Sequence, residues 1–179
     1  MRLFVAVPLP DRLREQIAAL QADLPPSLRR TDPGDAHVTL KFLGAAEPTP
    51  AARSVRAAVA SADVAPFEAT LSGLGVFPAL DYVRVVWLGV QDGTEELARL
   101  ADAVERETVA AGFDPRDHEF TPHVTLARMD DARGKERVRE LVEETDPEPG
   151  SFRVESVRLM ESTGGEPRYR TVERVPLDR

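Results

Sequence analysis

The chain has no cysteine. That excludes a disulfide framework, a thiolate nucleophile and any zinc site built on cysteine, and it fits a reducing compartment. Lysine is almost missing too: Lys41 and Lys135 are the only lysines among 23 basic residues. No apolar run is long enough for a transmembrane helix. The opening Met1–Val7 stretch is cut short by Pro8, Pro10 and Asp11 and lacks the layout of a signal peptide. No membrane association is expected, and a cytoplasmic location follows. No glycine-rich phosphate loop follows any stretch that reads as a strand, and no H-E-x-x-H spacing is present.

What remains is an ordinary globular composition, 42% hydrophobic and 30% charged over 179 residues, enough for one domain with a real core. The formal net charge of −8 argues against duplex DNA as a partner, because such binding rests on basic contacts to phosphates. An acidic, lysine-poor balance has two origins that the composition does not separate, a salt-adapted surface or GC-rich coding.

Histidine occurs only three times, and two of the three lie in identical tetrapeptides. His37-Val38-Thr39-Leu40 returns as His123-Val124-Thr125-Leu126, about half a chain later. In an extended strand, side chains alternate between faces, so each His shares a face with its Thr while Val and Leu point the other way. A helix would separate residues two apart. The pattern predicts two strands, each holding a His-Thr pair over a shared cleft and anchored by its apolar face. Phe42 falls on the apolar face and is expected in the core. Arg128 falls off the His123–Thr125 face, so it reaches the cleft only if the strand bends.

Along the chain, Arg2–Val7 reads as a strand. Asp11 reads as the N-cap of a helix with Leu13, Ile17, Leu20 and Leu24 on one side, stopped by Pro25-Pro26. Ser27–Asp35 reads as a loop before the first motif strand. Thr49-Pro50 suggests the start of a helix burying Val55 and Val59. Phe67–Phe77 and Tyr82–Val90 read as strands, the second apolar on both faces and therefore central. A helix opening at Thr94 carries Leu97, Leu100, Ala101, Val104 and Ala111, with Gly112 as its stop. After the second motif, Gly134–Glu144 reads as a short helix, and Phe152–Met160 and Tyr169–Leu177 as closing strands. This order favours an α+β fold with antiparallel strands over a parallel doubly wound sheet.

Two imidazoles facing one cleft can act as a complementary pair, one accepting a proton and the other donating one. Two threonine hydroxyls beside them can hold non-bridging oxygens. The set suits in-line displacement at phosphorus without a metal. A zinc site formed by His37, His123 and His118 with Asp114 or Asp117 is the competing reading. So is a module that binds nucleotides or RNA ends without turnover. His118 itself reads as a surface-loop residue, and Tyr169 as a candidate for stacking on a base or for packing.

His37–Gly44 (HVTLKFLG) and Phe120–Arg128 (FTPHVTLAR) resemble the paired signatures of the two-histidine (2H) phosphoesterases, in particular the RNA 2′,3′-cyclic phosphodiesterases, also called 2′-5′ RNA ligases. The opening Met1–Pro10 and the closing Tyr169–Leu177 are similar to that family as well. The resemblance implies one bilobal domain over 1–179 with pseudo-twofold symmetry, antiparallel sheets lining a central cleft, helices packed outside, and one motif strand per half (37–44 and 123–128). It implies metal-independent hydrolysis of RNA 2′,3′-cyclic phosphate ends to 2′-phosphomonoesters, with no cofactor, by a monomer acting on RNA ends or small cyclic-phosphate nucleotides. His37 would be the proton donor and His123 the acceptor. Thr39 and Thr125 would hold the phosphate, and Arg128 is a further candidate contact. A 2′-5′ linkage, a cyclic nucleotide or an ADP-ribose cyclic phosphate would present a similar phosphate to the same pair. Reversal to join RNA ends is chemically allowed.

Overall fold

Leu3 to Val7 are all buried, although alternation would leave every second one facing water. A strand covered on both faces lies inside a sheet, and this is where the first strand sits in the structure, a computed structural model that describes residues 1–178. The strands are β1 (Arg2–Pro8), β2 (Arg29–Arg30), β3 (His37–Ala45), β4 (Phe67–Ala79), β5 (Tyr82–Asp92), β6 (His123–Arg128), β7 (Gly150–Val154), β8 (Ser156–Ser162) and β9 (Tyr169–Pro176). They form one sheet in the order β7-β4-β5-β6-β3-β1-β8-β9, with β2 on β6, and every pairing is antiparallel. The α+β, antiparallel expectation holds, and the sheet curls into a half-barrel. Its two halves, β7-β4-β5-β6 and β3-β1-β8-β9, meet where β3 pairs with β6 through the single residue pair Val38–Val124.

Four helices complete the fold: α1 (Arg14–Ala22), α2 (Pro48–Ala62), α3 (Thr94–Ala110) and α4 (Lys135–Glu144). The stripe Leu97, Leu100, Ala101 and Val104 of α3 is at most 1% exposed, and Gly112 follows at φ +99°, a left-handed stop that suits glycine. Helix α3 packs on α2 and on the apolar face of β3. No helix among the described residues is long and apolar enough to cross a membrane.

Several local expectations change. Asp11 does not cap a helix; it begins a 3₁₀ turn, Asp11–Leu13, whose capping position is Pro10. Helix α2 starts at Pro48 with Glu47 at the cap, so Thr49 lies inside the first turn. Ala111 is exposed beyond α3 rather than part of its buried stripe. Arg29–Arg30, read as loop, forms a short strand on β6. The largest revision concerns Phe152–Met160. It is two strands broken at Glu155: β7 pairs with β4 in one half of the sheet, and β8 pairs with β1 in the other. The alternation shifts phase here, from Phe152 and Val154 to Val157 and Leu159, but with one residue between the strands no turn signal marks a break.

Candidate active site

The pairing of Val38 with Val124 fixes the geometry of the site. The two antiparallel strands meet at this pair, so the residues on either side of it, His37 and Thr39 on β3 and His123 and Thr125 on β6, project from the face opposite to the two valines. All four side chains line one cleft of about 420 Å³. Val38, Val124, Leu40 and Leu126 are buried on the other side, as the alternation predicts.

Beyond the threonines the alternation fails in both strands at the same place. In the β1–β3 ladder Ala6 faces Thr39 and Val5 faces Lys41, which leaves Leu40 as an extra residue. In the β5–β6 ladder Trp87 faces Thr125 and Val86 faces Ala127, which leaves Leu126 extra. Each is a β-bulge three residues after the motif histidine, and a bulge turns the following side chains to the opposite face. Lys41 and Ala127 are therefore buried next to Leu40 and Leu126. Phe42 and Arg128 turn into the cleft. The bend that Arg128 needed is present. Phe42 is 68% exposed and is not a core residue, which overturns that expectation.

Each bulge is fastened from behind. The Leu126 carbonyl accepts hydrogen bonds from the Thr31 amide at 3.0 Å and from Nε2 of buried Gln21 at 3.0 Å. In the first motif the buried Lys41 ammonium donates to Thr108 Oγ1 and meets Glu105 Oε1, both at 2.7 Å on α3. Gln21, Thr31 and Glu105 carry no sequence signal, since their partners are remote in the chain.

The two histidines are oriented alike. Nδ1 of His37 lies 2.8 Å from the Asp35 carbonyl, and Nδ1 of His123 lies 2.7 Å from the Thr121 carbonyl. A carbonyl can only accept, so Nδ1 carries the proton in both rings and Nε2 is left free for chemistry. Aromatic rings clamp each imidazole. Phe4 (5.2 Å between centroids) and Tyr169 (5.5 Å, edge-on) flank His37. Phe77 (5.0 Å, edge-on) and Trp87 (5.8 Å) flank His123. The indole of Trp87 lies over its cross-strand neighbour Gly75, where a Cβ would come within 2.2 Å of the ring. Sequence reasoning assigned Phe4, Phe77 and Trp87 only to strands.

Burial pushes both histidines below the ordinary imidazole value. For His37 the hydrogen bond to Asp35 and the Asp35 carboxylate oppose this, and the Arg128 charge adds to it. For His123 the Thr121 hydrogen bond opposes, while the charges of His37 and Arg128 push further down. Two depressed imidazoles are both mainly neutral near pH 7, and an anion placed between them favours protonation of one. His118 is exposed and pairs with Asp117 at 2.7 Å, yet it lines the same cleft, and its charge adds to the lowering of His123. Among the described residues no group of three or more His, Asp or Glu side chains is arranged to hold a metal ion.

Taken together, the cleft offers the two free imidazole nitrogens, the two motif hydroxyls and the guanidinium groups of Arg128, Arg2 and Arg168 around a volume of nucleotide size. The model of the 2′-5′ RNA ligase superfamily matches residues 9–166. The RNA 2′,3′-cyclic phosphodiesterase of Aeropyrum pernix is 40% identical over 164 residues, 90% of each chain. That of Methanothermobacter thermautotrophicus is 34% identical over 169 residues, again 90% of each. Among solved structures, Escherichia coli LigT complexed with 3′-AMP superposes with a TM-score of 0.78 at 29% identity, covering 99% of this chain and 98% of that one. A match over most of the chain, by sequence and by fold, places this protein in the 2′-5′ RNA ligase superfamily.

Proposed function

We propose that this chain hydrolyses RNA 2′,3′-cyclic phosphate ends to 2′-phosphomonoesters, in the cytoplasm and without a metal. The observation that carries the reading is the pair of free Nε2 atoms, each fixed by an Nδ1–carbonyl bond, facing one cleft. Its relatives named RNA 2′,3′-cyclic phosphodiesterase support the substrate class. Both motifs come from one chain, so a monomer holds the whole site.

In this reading His123 takes a proton from water, the water oxygen bonds to phosphorus, and the bond from phosphorus to the 3′ oxygen breaks. His37 protonates that oxygen as it leaves, and the phosphate stays on the 2′ oxygen. Thr39 and Thr125 donate hydroxyl hydrogens to the non-bridging oxygens, and Arg128 offsets the charge that gathers there. The division of roles is the one that the resemblance to the family implies, and the position of one aromatic supports it. The exposed Phe42, 6.0 Å from Phe4, stands on the His37 side and Arg128 on the His123 side, with Arg2 and Arg168 also lining the cleft. A base stacked toward Phe42 brings the ribose, and hence its leaving oxygen, to His37. Water then enters in line from the side of His123.

The test is an oligoribonucleotide with a 2′,3′-cyclic phosphate end, incubated in EDTA and followed by phosphorus NMR. A 2′-phosphate product with the wild-type chain, lost in both His37→Ala and His123→Ala, is the expected result. Turnover that returns only with added zinc or manganese, or that survives either substitution, overturns the reading.

A further inference from the structure

A second groove, of about 480 Å³, adjoins the catalytic cleft and shares with it Asp35, Ala36, His37 and Tyr169. Its floor continues a row of side chains that begins at the active site. Thr39 on β3 faces Ala6 on β1, Ala6 faces Arg158 on β8, and Arg158 faces Arg174 on β9. Directly paired residues project from the same face of a sheet, so both arginines lie on the face that carries the catalytic threonine. With strands about 4.8 Å apart, Arg158 is about 10 Å from Thr39 at the backbone and Arg174 about 14 Å.

Two features of this pair are costly in the free protein. Like charges directly opposite on antiparallel strands repel, and among the described residues no carboxylate lies within ion-pair distance of either arginine. The acid next to Arg174 in sequence, Glu173, pairs with Arg56, and Glu155 pairs with Arg153 at 3.7 Å; Glu155 lines the groove together with Asp11 and Asp35. Moreover, Nε of Arg158 is buried with no hydrogen-bond partner, and its single side-chain bond is a 3.4 Å contact to Thr171 Oγ1. The Arg158 side chain lines the groove, and with Nε unpaired its guanidinium keeps hydrogen-bonding capacity that a phosphate entering the groove could engage.

We infer that Arg158 and Arg174 form a phosphate subsite for the phosphodiester that precedes the terminal nucleotide of an RNA substrate. This deepens the proposed activity: it makes the enzyme prefer an RNA chain end over a free cyclic mononucleotide. The overall acidity of the chain does not oppose it. Arg153, Arg158 and Arg174 line the groove with Asp11, Asp35 and Glu155, so the groove is not itself acidic, and the net charge disfavours only extended duplex contacts. The terminal phosphate is held at Thr39, Thr125 and Arg128, and the chain leaves past Tyr169 over Ala6 toward β8 and β9.

The experiment compares cytidine 2′,3′-cyclic phosphate with the dinucleotide CpC ending in the same group, for the wild type, Arg158→Met and Arg174→Gln. The expected result is a wild-type kcat/KM ratio favouring the dinucleotide, which falls toward one in both variants. A contact to one phosphate of a single strand carries a log–log salt slope near −0.7, so a tenfold rise in KCl lowers the wild-type ratio about fivefold. Arg174 is exposed, so Arg174→Gln keeps the test decisive if Arg158→Met does not fold. A wild-type ratio near one, or a ratio untouched in the variants, overturns the subsite. If neither compound is turned over, the catalytic reading has failed by itself. The subsite is then read from the anisotropy of a fluorescein-labelled tetraribonucleotide with a 2′-phosphate end: weaker binding in both variants supports it, and equal binding overturns it.

Discussion

Phe42 and Arg128 occupy the same position in the two halves of the protein: each stands five residues after its motif histidine, beyond a bulge at the third residue. The histidines and threonines obey the pseudo-twofold relation; these two residues break it. Equivalent places in the cleft thereby hold an aromatic surface and a cation, with Arg2 and Arg168 adding charge elsewhere in the lining. In the proposed reaction that difference gives the acid–base pair a direction, because a nucleotide is itself apolar at the base and anionic at the phosphate.

Phe42 can therefore be separated from the core by experiment. Base stacking on an aromatic is worth about 1–3 kcal/mol, so Phe42→Ala should raise KM for the cyclic phosphate at least about fivefold, and Phe42→Trp should restore it. The melting temperature should move by no more than a few degrees, since substitutions at exposed sites cost about 0.5 kcal/mol or less. A core phenylalanine would cost about 3–5 kcal/mol. A large fall in melting temperature with KM unchanged would return Phe42 to the core.

Arg128 carries two expectations. As a cation beside the developing charge, its loss in Arg128→Met should lower kcat/KM about 10²- to 10³-fold. Its charge also helps hold both imidazoles down, after burial in each case. Protonation of either ring becomes easier once that charge is gone. Both limbs of the expected bell-shaped pH profile should then move to higher pH, whereas the wild-type optimum should lie on the acid side of the ordinary histidine value of 6.5. A profile that falls in height without moving would mean that Arg128 acts on the substrate alone.

Much of this site was legible because strand alternation is a local rule. His37, Thr39, His123 and Thr125 share a face for reasons contained in eight residues. The rule ends at the bulge. Placing Phe42 requires knowing that Leu40 has no partner on β1, and that depends on the register of a strand more than thirty residues away. The aromatic walls were hidden for the same reason: Tyr169 and Phe77 reach His37 and His123 only through the curl of the sheet. The break at Glu155, which sends β7 and β8 to different halves, has no turn signal around it. Arg158 and Arg174 become neighbours only after that break is known.

The proposed division of labour between the histidines predicts a difference in leaving-group dependence. A general acid matters most when the departing oxygen is basic. With a p-nitrophenyl phosphodiester, whose leaving group needs no proton, His37→Ala should recover much of the activity that it loses on the RNA end, a loss of about 10²- to 10⁴-fold. His123→Ala should remain inactive on both. The reverse pattern would exchange the two roles.

Lys41 tests what holds the first motif in place. Its ammonium is 4% exposed in the side chain and meets Glu105 and Thr108, so removing it strands a partly buried carboxylate. Breaking such a pair costs about 3–5 kcal/mol, and Lys41→Met should lower the melting temperature accordingly. Adding Glu105→Gln to that variant should recover part of the loss, as an uncompensated charge disappears. Burial works against the ionised form of Glu105, but the hydrogen bonds from Lys41 and the Arg116 amide outweigh it and hold the carboxyl below its ordinary value of 4.5. The folded state thus binds this proton less readily than the unfolded chain does. Its contribution is complete above pH 4.5 and is lost as pH falls through the lower, folded-state value. Wild type should therefore lose stability faster than the double variant on acidification below pH 4.5, by thermal melts at matched salt. Parallel curves would show that the pair positions Lys41 without contributing to the acid limb.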